Sequence, residues 1–400
     1  MNEYEIWSLN NSGLISNAIY FAGVAFLLWV ALRAANQVRA ENSNVAVKVL
    51  VSLFSLGIIY NGLFTGAVLF NTVEGTAFLL SELNSINAFS QSFVDAFNTG
   101  NPVHWIIALL MADFSYYLFH WASHRTNILV GSHVVHHQSE EYNLSVAMRQ
   151  SWLTRFYSWL FYLPLAVAGV PTPMFIGVMG AVIIYQFWVH SQYIGKLGLM
   201  EKIFVTPSHH RVHHGRNPEY VDKNFGAIFI VWDKMFGTFA EERAEVVYGI
   251  VTPSNTWNPL WANFRYYKKL WTEAKMASHP VDKIKVWFAK PEWRPRNLEP
   301  YGEISPITPA EVKKYDKKRR GYPIVGITIQ FIFSLVLFGF TLSNKDTMSL
   351  GIQSVMSLLI IWSLTNIGGI QERKRWLIPS QILFFGAFLF VSIYFKSYWI

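Results

Sequence analysis

A chain of 400 residues in which 52% of side chains are hydrophobic, 16% aromatic and only 14% charged is too poor in charge for an ordinary soluble domain, where roughly a quarter of residues carry one. It has no cysteine, which excludes disulfides, thiolate-ligated haem, cysteine-ligated iron–sulfur clusters and cysteine zinc sites, so any metal must be held by nitrogen and oxygen. The net charge of +8 is not laid out as an interleaved basic and aromatic nucleic-acid surface. Basic loops on one side of a membrane explain it more simply.

In chain order, apolar runs of about the 20 residues needed to cross a bilayer occur at residues 13–32, 47–70 and 103–120. A helical hairpin follows at 152–170 and 174–194, where Pro164, Pro171 and Pro173 also permit a re-entrant path. Three further runs lie at 322–342, 348–370 and 377–394. The first run lacks a basic flank and is followed by a second long apolar segment, so it reads as a membrane helix and not a cleaved signal.

Loop charge orients the set. Residues 71–102 contain no Lys or Arg, whereas Arg33, Arg39 and Lys48 flank the first loop. Lys313, Lys314, Lys317, Lys318, Arg319 and Arg320 precede the last three runs, and Arg373, Lys374 and Arg375 mark another loop. With basic loops cytoplasmic, one alternation satisfies every loop: the N-terminus is outside and the polar stretch 195–320 is a cytoplasmic cap. The expectation is an all-α integral membrane protein with about eight spans and a helical cap that carries the functional site. It divides into N-terminal membrane helices at 1–100, a catalytic region at 101–245, a cap at 246–320 and C-terminal membrane helices at 321–400.

Of the twelve histidines, all but His104 and His279 fall between His120 and His214. They form an HxxxH box, His120 and His124, and two HxxHH boxes, His133, His136 and His137, then His210, His213 and His214, with His190 between. Positions three and four apart adjoin on one face of a helix, so each box can converge its imidazoles. Ser132 and Ser208 precede the two HxxHH boxes and are candidate N-caps of short helices beginning there. The set is too large for one ion, since a zinc takes four ligands; two ions with four or five ligands each use it up. Imidazole suits Zn, Cu, Fe and Ni alike. No HExxH signature offers a hydrolytic base, and an alkyl chain in a bilayer has no group to hydrolyse, which favours iron and molecular oxygen.

Asp113, Tyr117, His120 and His124 share one helical stripe. A carboxylate within an apolar run is costly unless it is used, so Asp113 is expected to accept an N–H from a ligand histidine, with a packing hydrogen bond as the alternative. His190 is a candidate ninth ligand. His209 breaks the box spacing and reads as a neighbour, His104 and His279 as structural, and Glu140 and Glu141 as either orienting the second box or forming a solvated face.

With these residues in view, the chain resembles the fatty acid hydroxylase superfamily, which also includes sterol desaturases and C4-methyl oxidases. The resemblance covers residues 103–239, with the three boxes and the tail from Val231 to Phe239. Within it, the residues from Glu141 to Ser145, Arg149-Gln150-Ser151, those from Tyr185 to His190 and those from Thr206 to Asn217 look like the ether-lipid-cleaving, alkylglycerol monooxygenase branch. The resemblance implies a di-iron site on the eight box histidines, O2 as oxidant, a membrane lipid substrate and tetrahydrobiopterin as reductant. It also implies hydroxylation of the alkyl carbon beside the ether oxygen, with release of a fatty aldehyde and glycerol. One departure stands out: the branch has a glutamate directly after the HxxxH box, and this chain has Arg125. No dinucleotide or flavin fingerprint is present, so electrons come from a soluble cofactor or a separate donor. Other readings of the same residues are a fatty acyl or sterol-like lipid hydroxylase or desaturase, and a non-catalytic metal-binding or metal-transport membrane protein.

Overall fold

The fold was described from a computed structural model, which covers residues 1–12, most of 76–95, 102–315, 323–344 and 347–394. The expected spans at 13–32 and 47–70 lie outside the described residues, as does the basic block at 317–320. Among the described residues the protein is helical, with no strands and only two isolated bridges, Phe204 with Phe229 and Gly215 with Tyr248.

Helix α1 (Pro102–Arg125) is about 36 Å long at 1.5 Å per residue, enough to cross the hydrocarbon layer. Helix α2 (Asn127–His137) and the single turn α3 (Leu144–Ala147) follow, then the hairpin of α4 (Thr154–Val167) and α5 (Thr172–Val189). Gly169, at a φ of +77°, makes the turn of that hairpin. Helix α4 carries Pro164 and has 14 residues, short of a full crossing. The third box sits on α6 (Pro207–His213), and α7 (Val231–Phe236) closes the catalytic region. Two further helices, α8 (Pro259–Met276) and α9 (Pro280–Phe288), precede α10 (Pro323–Ser343), α11 (Leu350–Glu372) and α12 (Leu377–Tyr394).

Four of these helices, α1, α5, α10 and α11, are long and apolar enough to cross a membrane, and α12 is a shorter apolar helix. Their outward faces are apolar, as in Ile106 and Ile107 on α1 or Ile332 and Val336 on α10. That pattern belongs to lipid, not water. The chain is an integral membrane protein.

Helices α1, α4 and α5 pack around Ala108, Ala112, Leu165, Met174 and Val178. Helix α2 packs on α1 and is covered by α8 and α9. Asn127 locks this layer, donating to the Val286 carbonyl at 2.8 Å and accepting from the Tyr266 hydroxyl at 2.5 Å. Separately, α10, α11 and α12 form a bundle around Leu337, Met356, Leu359 and Phe384.

Neither expected serine cap is one. Ser132 lies inside α2, whose N-cap is Thr126, and its hydroxyl donates to the Leu129 carbonyl. Ser208 lies inside α6, which starts at Pro207 behind the N-cap Thr206. The proline supplies the fixed φ suited to a first helical position, and the His209 side chain accepts from the Thr206 N–H in a capping box. Proline and threonine outcompete the serine for the helix start, and the two HxxHH boxes fall at the C-terminal ends of their helices, with His137 the last residue of α2 and His214 the C-cap of α6.

Candidate metal centre

Nine histidines meet as two adjoining groups: His120, His124, His133, His137 and His213, and His136, His190, His210 and His214. Within each group the nitrogens available as ligands lie within 4.8 Å of one another. The groups touch along α2, where the ring centroid of His137 is 4.4 Å from that of His214 and 5.3 Å from that of His136. The two HxxHH boxes are each split between the groups, while the HxxxH box serves the first alone: His133, His137 and His213 join His120 and His124, and His136, His210 and His214 turn to the second.

The tautomers are set by backbone carbonyls. His120 Nδ1 lies 2.8 Å from the Phe225 carbonyl, His213 Nδ1 2.9 Å from Lys223, His190 Nδ1 2.7 Å from Gln186 and His136 Nδ1 3.3 Å from Arg149. A carbonyl only accepts, so each of these Nδ1 atoms carries the proton and each Nε2 presents a lone pair. Yet the Nε2 atoms face one another. His190 Nε2 stands 3.2 Å from His136 Nε2 and 3.0 Å from His210 Nε2, and His133 Nε2 is 3.0 Å from both His120 and His137. For His136 and His190 both members of the pair are acceptors, so no hydrogen bond can form between them. His124 Nε2, His214 Nε2 and His210 Nδ1 are buried without any partner. Converging lone pairs with orphaned nitrogens in a buried site are costly for a protein alone and are what a cation relieves.

Burial adds to this. It pushes His133, His137, His210, His213 and His214 well below the ordinary imidazole pKa, and His136 to about 4, with neighbouring imidazoles adding to the effect in His133, His137, His210, His213 and His214. These side chains are therefore neutral at physiological pH, the form that ligates metal. The donor set, all imidazole and no thiolate, fits a first-row transition metal.

Asp113 does not accept from a histidine, contrary to the expectation from its place on the stripe. Its carboxylate takes the N–H groups of Ile228 (2.8 Å) and Phe229 (3.2 Å) and the Trp232 indole N–H (2.8 Å). The backbone of 225–229 reaches α1 first, and His120 turns to the Phe225 carbonyl instead. Asp113 thus acts one step away: it moors the loop whose carbonyl holds His120. Asp233 finishes that loop, accepting from Phe225 N, Gly226 N and the Thr238 hydroxyl. At Gly226 a Cβ would lie 2.5 Å from the Phe229 carbonyl oxygen, so the turn admits only glycine.

Asp222 carried no signal in the sequence. It is held at a φ of +59° with its carboxylate 3.4 Å from His124 Nδ1 and 3.3 Å from Arg125 Nε. His124 is therefore oriented by a carboxylate and not a carbonyl. His209 stays in its capping box outside both groups. Glu140 and Glu141 face the linker, accepting from Tyr315 N and Lys314 Nζ, and do not orient the second box.

A cavity of about 200 Å3 opens onto His124, His133, His137, His213 and His214. It shares the wall of Val130, Val134, Ile250, Val251 and Pro291 with an outer cavity of about 470 Å3 that ends at Arg265, Tyr266 and Lys269 on α8. The two cavities adjoin along this wall and together form a cleft between α8 and the first histidine group.

Residues 105–238 match the fatty acid hydroxylase family. That segment, about a third of the chain, is a fatty acid hydroxylase match. Its curated relatives include alkylglycerol monooxygenase from Homo sapiens, 38% identical over 276 residues, 68% of this chain and 62% of that protein. The Xenopus tropicalis alkylglycerol monooxygenase is 36% identical over 68% of this chain and 61% of its own length. Ornithine lipid hydroxylase OlsE from Rhizobium tropici is 27% identical over 34% of this chain and 41% of its own. The chain thus spans about three fifths of the length of the alkylglycerol monooxygenases. No solved structure matches it. Within the matched segment the tail from Val231 onward has a role visible in its contacts: Trp232 donates to Asp113 and Asp233 accepts from Phe225 N, which ties the loop that carries the Phe225 carbonyl.

Proposed function

We propose that the chain is a di-iron monooxygenase that hydroxylates an alkyl chain of a membrane lipid, cleaving an ether lipid such as an alkylglycerol. The observation that carries this is the facing of unprotonated Nε2 atoms in two adjoining groups. His120, His124, His133, His137 and His213 would hold one ion, and His136, His190, His210 and His214 the other. A bound iron pair would supply the redox chemistry for reducing O2. The protein's own part is to keep Nδ1 protonated against fixed carbonyls, to present neutral Nε2 atoms and to keep the reacting atoms away from bulk water.

The reaction balances as follows. One oxygen atom of O2 is inserted into the C–H bond beside the ether oxygen, and the other leaves as water with two electrons and two protons. The hemiacetal then breaks its C–O bond to a fatty aldehyde and the glycerol hydroxyl. The electrons come from outside the described fold, from tetrahydrobiopterin or a separate reductase protein. Arg125 stands where the branch has glutamate and is paired with Asp222, so turnover with the pterin against a reductase-coupled donor identifies the source.

In the membrane we place eight spans with the N-terminus outside and the active site on the cytoplasmic side. The chain is read as four regions, 1–100, 101–245, 246–320 and 321–400. Loop charge supports this orientation, and the absence of native cysteine makes it directly testable. A single cysteine at Lys290→Cys should react only from the cytoplasmic side and one at Ser81→Cys only from the opposite side.

Purified protein expressed with ample iron should carry two irons per chain and convert an alkylglycerol to fatty aldehyde. Full occupancy by zinc with no O2 consumption on any lipid would refute an oxygenase. A hydroxylated acyl or sterol-like lipid with no aldehyde would move the assignment to the neighbouring branch.

A further inference from the structure

The two cap helices have outward faces that do not suit water. On α8 the exposed residues include Leu260, Trp261, Phe264, Lys268, Trp271 and Lys275, a single stripe at helical spacing, with Trp271 56% exposed. On α9 the exposed stripe is Val281, Ile284 and Phe288, the last two 66% and 64% exposed. Lysines accompany both stripes, Lys268 and Lys275 on α8 and Lys283 and Lys285 on α9. Two of them lie over the exposed indoles, Lys268 Nζ 5.1 Å from the Trp261 ring and Lys275 Nζ 5.2 Å from the Trp271 ring.

The position of α8 in the fold says what covers this face. Its N-terminus abuts the end of the span α11: a Cβ on Gly368 would lie 2.9 Å from Asn258 Cα, and Glu372 accepts from the Thr256 hydroxyl at 2.7 Å. One turn on, Asn263 Oδ1 accepts from the Ser151 hydroxyl (2.9 Å) and the Trp152 N–H (3.0 Å), just before the hairpin helix α4 enters its apolar run, and Phe264 stands edge-on to Trp152. Helix α8 is therefore pinned across the ends of two membrane-facing helices, at the level where hydrocarbon gives way to headgroups.

We propose that α8 and α9 lie in the headgroup layer of the bilayer that holds the spans, with Trp261, Phe264, Trp271, Ile284 and Phe288 immersed at the acyl boundary and the lysines against anionic headgroups. An apolar stripe edged by Lys and Trp is the composition of an interfacial helix, and Lys stems extend along apolar surface while the ammonium stays in the polar layer. The consequence reaches the site. The inward face of α8 carries Arg265, Tyr266 and Lys269, which line the outer end of the cleft to the first histidine group. With its outward face in the headgroup layer, the mouth of that cleft opens among lipids, and a lipid enters without passing through water.

The contact needs no catalysis, so it is tested independently of the proposed reaction. Single cysteines are introduced at Phe264, Trp271, Val281, Ile284 and Phe288 of the otherwise cysteine-free chain, with Glu303→Cys, in an exposed irregular segment, as the water reference. The full-length protein is spin-labelled in nanodiscs containing anionic lipid. Collision with membrane-soluble O2 and with a water-soluble nickel chelate is then measured. Access of nickel should be about fivefold lower at the stripe positions than at Glu303→Cys, with O2 access correspondingly higher. Equal nickel access at the stripe and at the reference would overturn the proposal and leave the face open to a protein partner. Because α8 and α9 are probed separately, a single variant that fails to fold does not decide the outcome.

Discussion

Two regions of this protein bury polar side chains among apolar helices, and they do so in opposite ways. In the C-terminal bundle the polar groups satisfy one another. Gln330 donates to Ser363, Ser334 and Ser363 share a hydrogen bond at 2.8 Å, Gln381 donates to Gln330, and Ser380 donates to Asn366 while accepting from the Trp362 indole. In the catalytic region the outer nitrogens are tied to carbonyls while the inner ones converge with nothing to donate to them. A closed network is sufficient to explain helix association in a membrane. An open one is unexplained until a ligand is added, and the site is recognised by what its side chains lack.

The sharpest break in that comparison is His136→Ala set against Ser363→Ala. Removing His136 takes one of four nitrogens from the second group, and lipid oxidation should fall roughly a thousandfold or more with loss of one metal equivalent. Metal content and O2 uptake measured on both variants check this. Two irons and full turnover retained in His136→Ala would remove His136 from the ligands of the second group.

Asp113→Asn should come next. It keeps the shape but weakens an acceptor of three donors, loosening the loop behind His120. Turnover should fall by about tenfold to a hundredfold, with weaker metal binding, the range seen for groups that orient ligands. Asp113→Ala should in addition lower stability by about 3 kcal/mol, because buried donors are left unmet. Chelator competition and thermal unfolding separate the two effects. A smaller change is expected from Asp222→Asn, since His124 lies at the open edge of the site and the carboxylate is 3.4 Å away. Metal affinity should drop roughly tenfold, read from iron release to a chelator, and the Arg125 pairing should be lost with it.

The same contrast explains which features could be read from the sequence. The boxes are local: three and four residues along a helix put His133 beside His136 and His137 whatever else the chain does. His190 was marked by ending an apolar run as a histidine. The partners that set the tautomers are backbone carbonyls of Phe225, Lys223, Gln186 and Arg149, and a carbonyl has no residue-type signature. Asp113 is conspicuous as a carboxylate in an apolar helix, but its partners, the Ile228 and Phe229 N–H groups and the Trp232 indole, lie more than a hundred residues away, so they could not be read from its own stripe. Ser132 and Ser208 had the right chemistry for caps and lost to Thr126 and to Thr206-Pro207, which start α2 and α6 upstream, so the boxes lie toward the C-terminal ends of those helices. Asp222 was invisible, one acid among others in a polar turn.

Ser363→Ala is the smallest effect and the one that tests the closed half of the comparison. The Ser363 hydroxyl accepts from Gln330 and bonds Ser334, all three buried between α10 and α11. Replacing it leaves the Gln330 amide with one donor unmet, yet Gln330 Oε1 keeps its bond from Gln381, and Ser334 can still donate to the Gln330 carbonyl at 2.8 Å. The network has alternatives, so the loss should be about 0.6 kcal/mol and not above roughly 1.7 kcal/mol, the range for hydrogen bonds between membrane helices. Unfolding in mixed detergent measures it, with iron content and turnover unchanged. A loss of metal or of activity in Ser363→Ala would mean that the bundle is coupled to the site through the α11–Thr256 contact, and that the two regions are one functional unit.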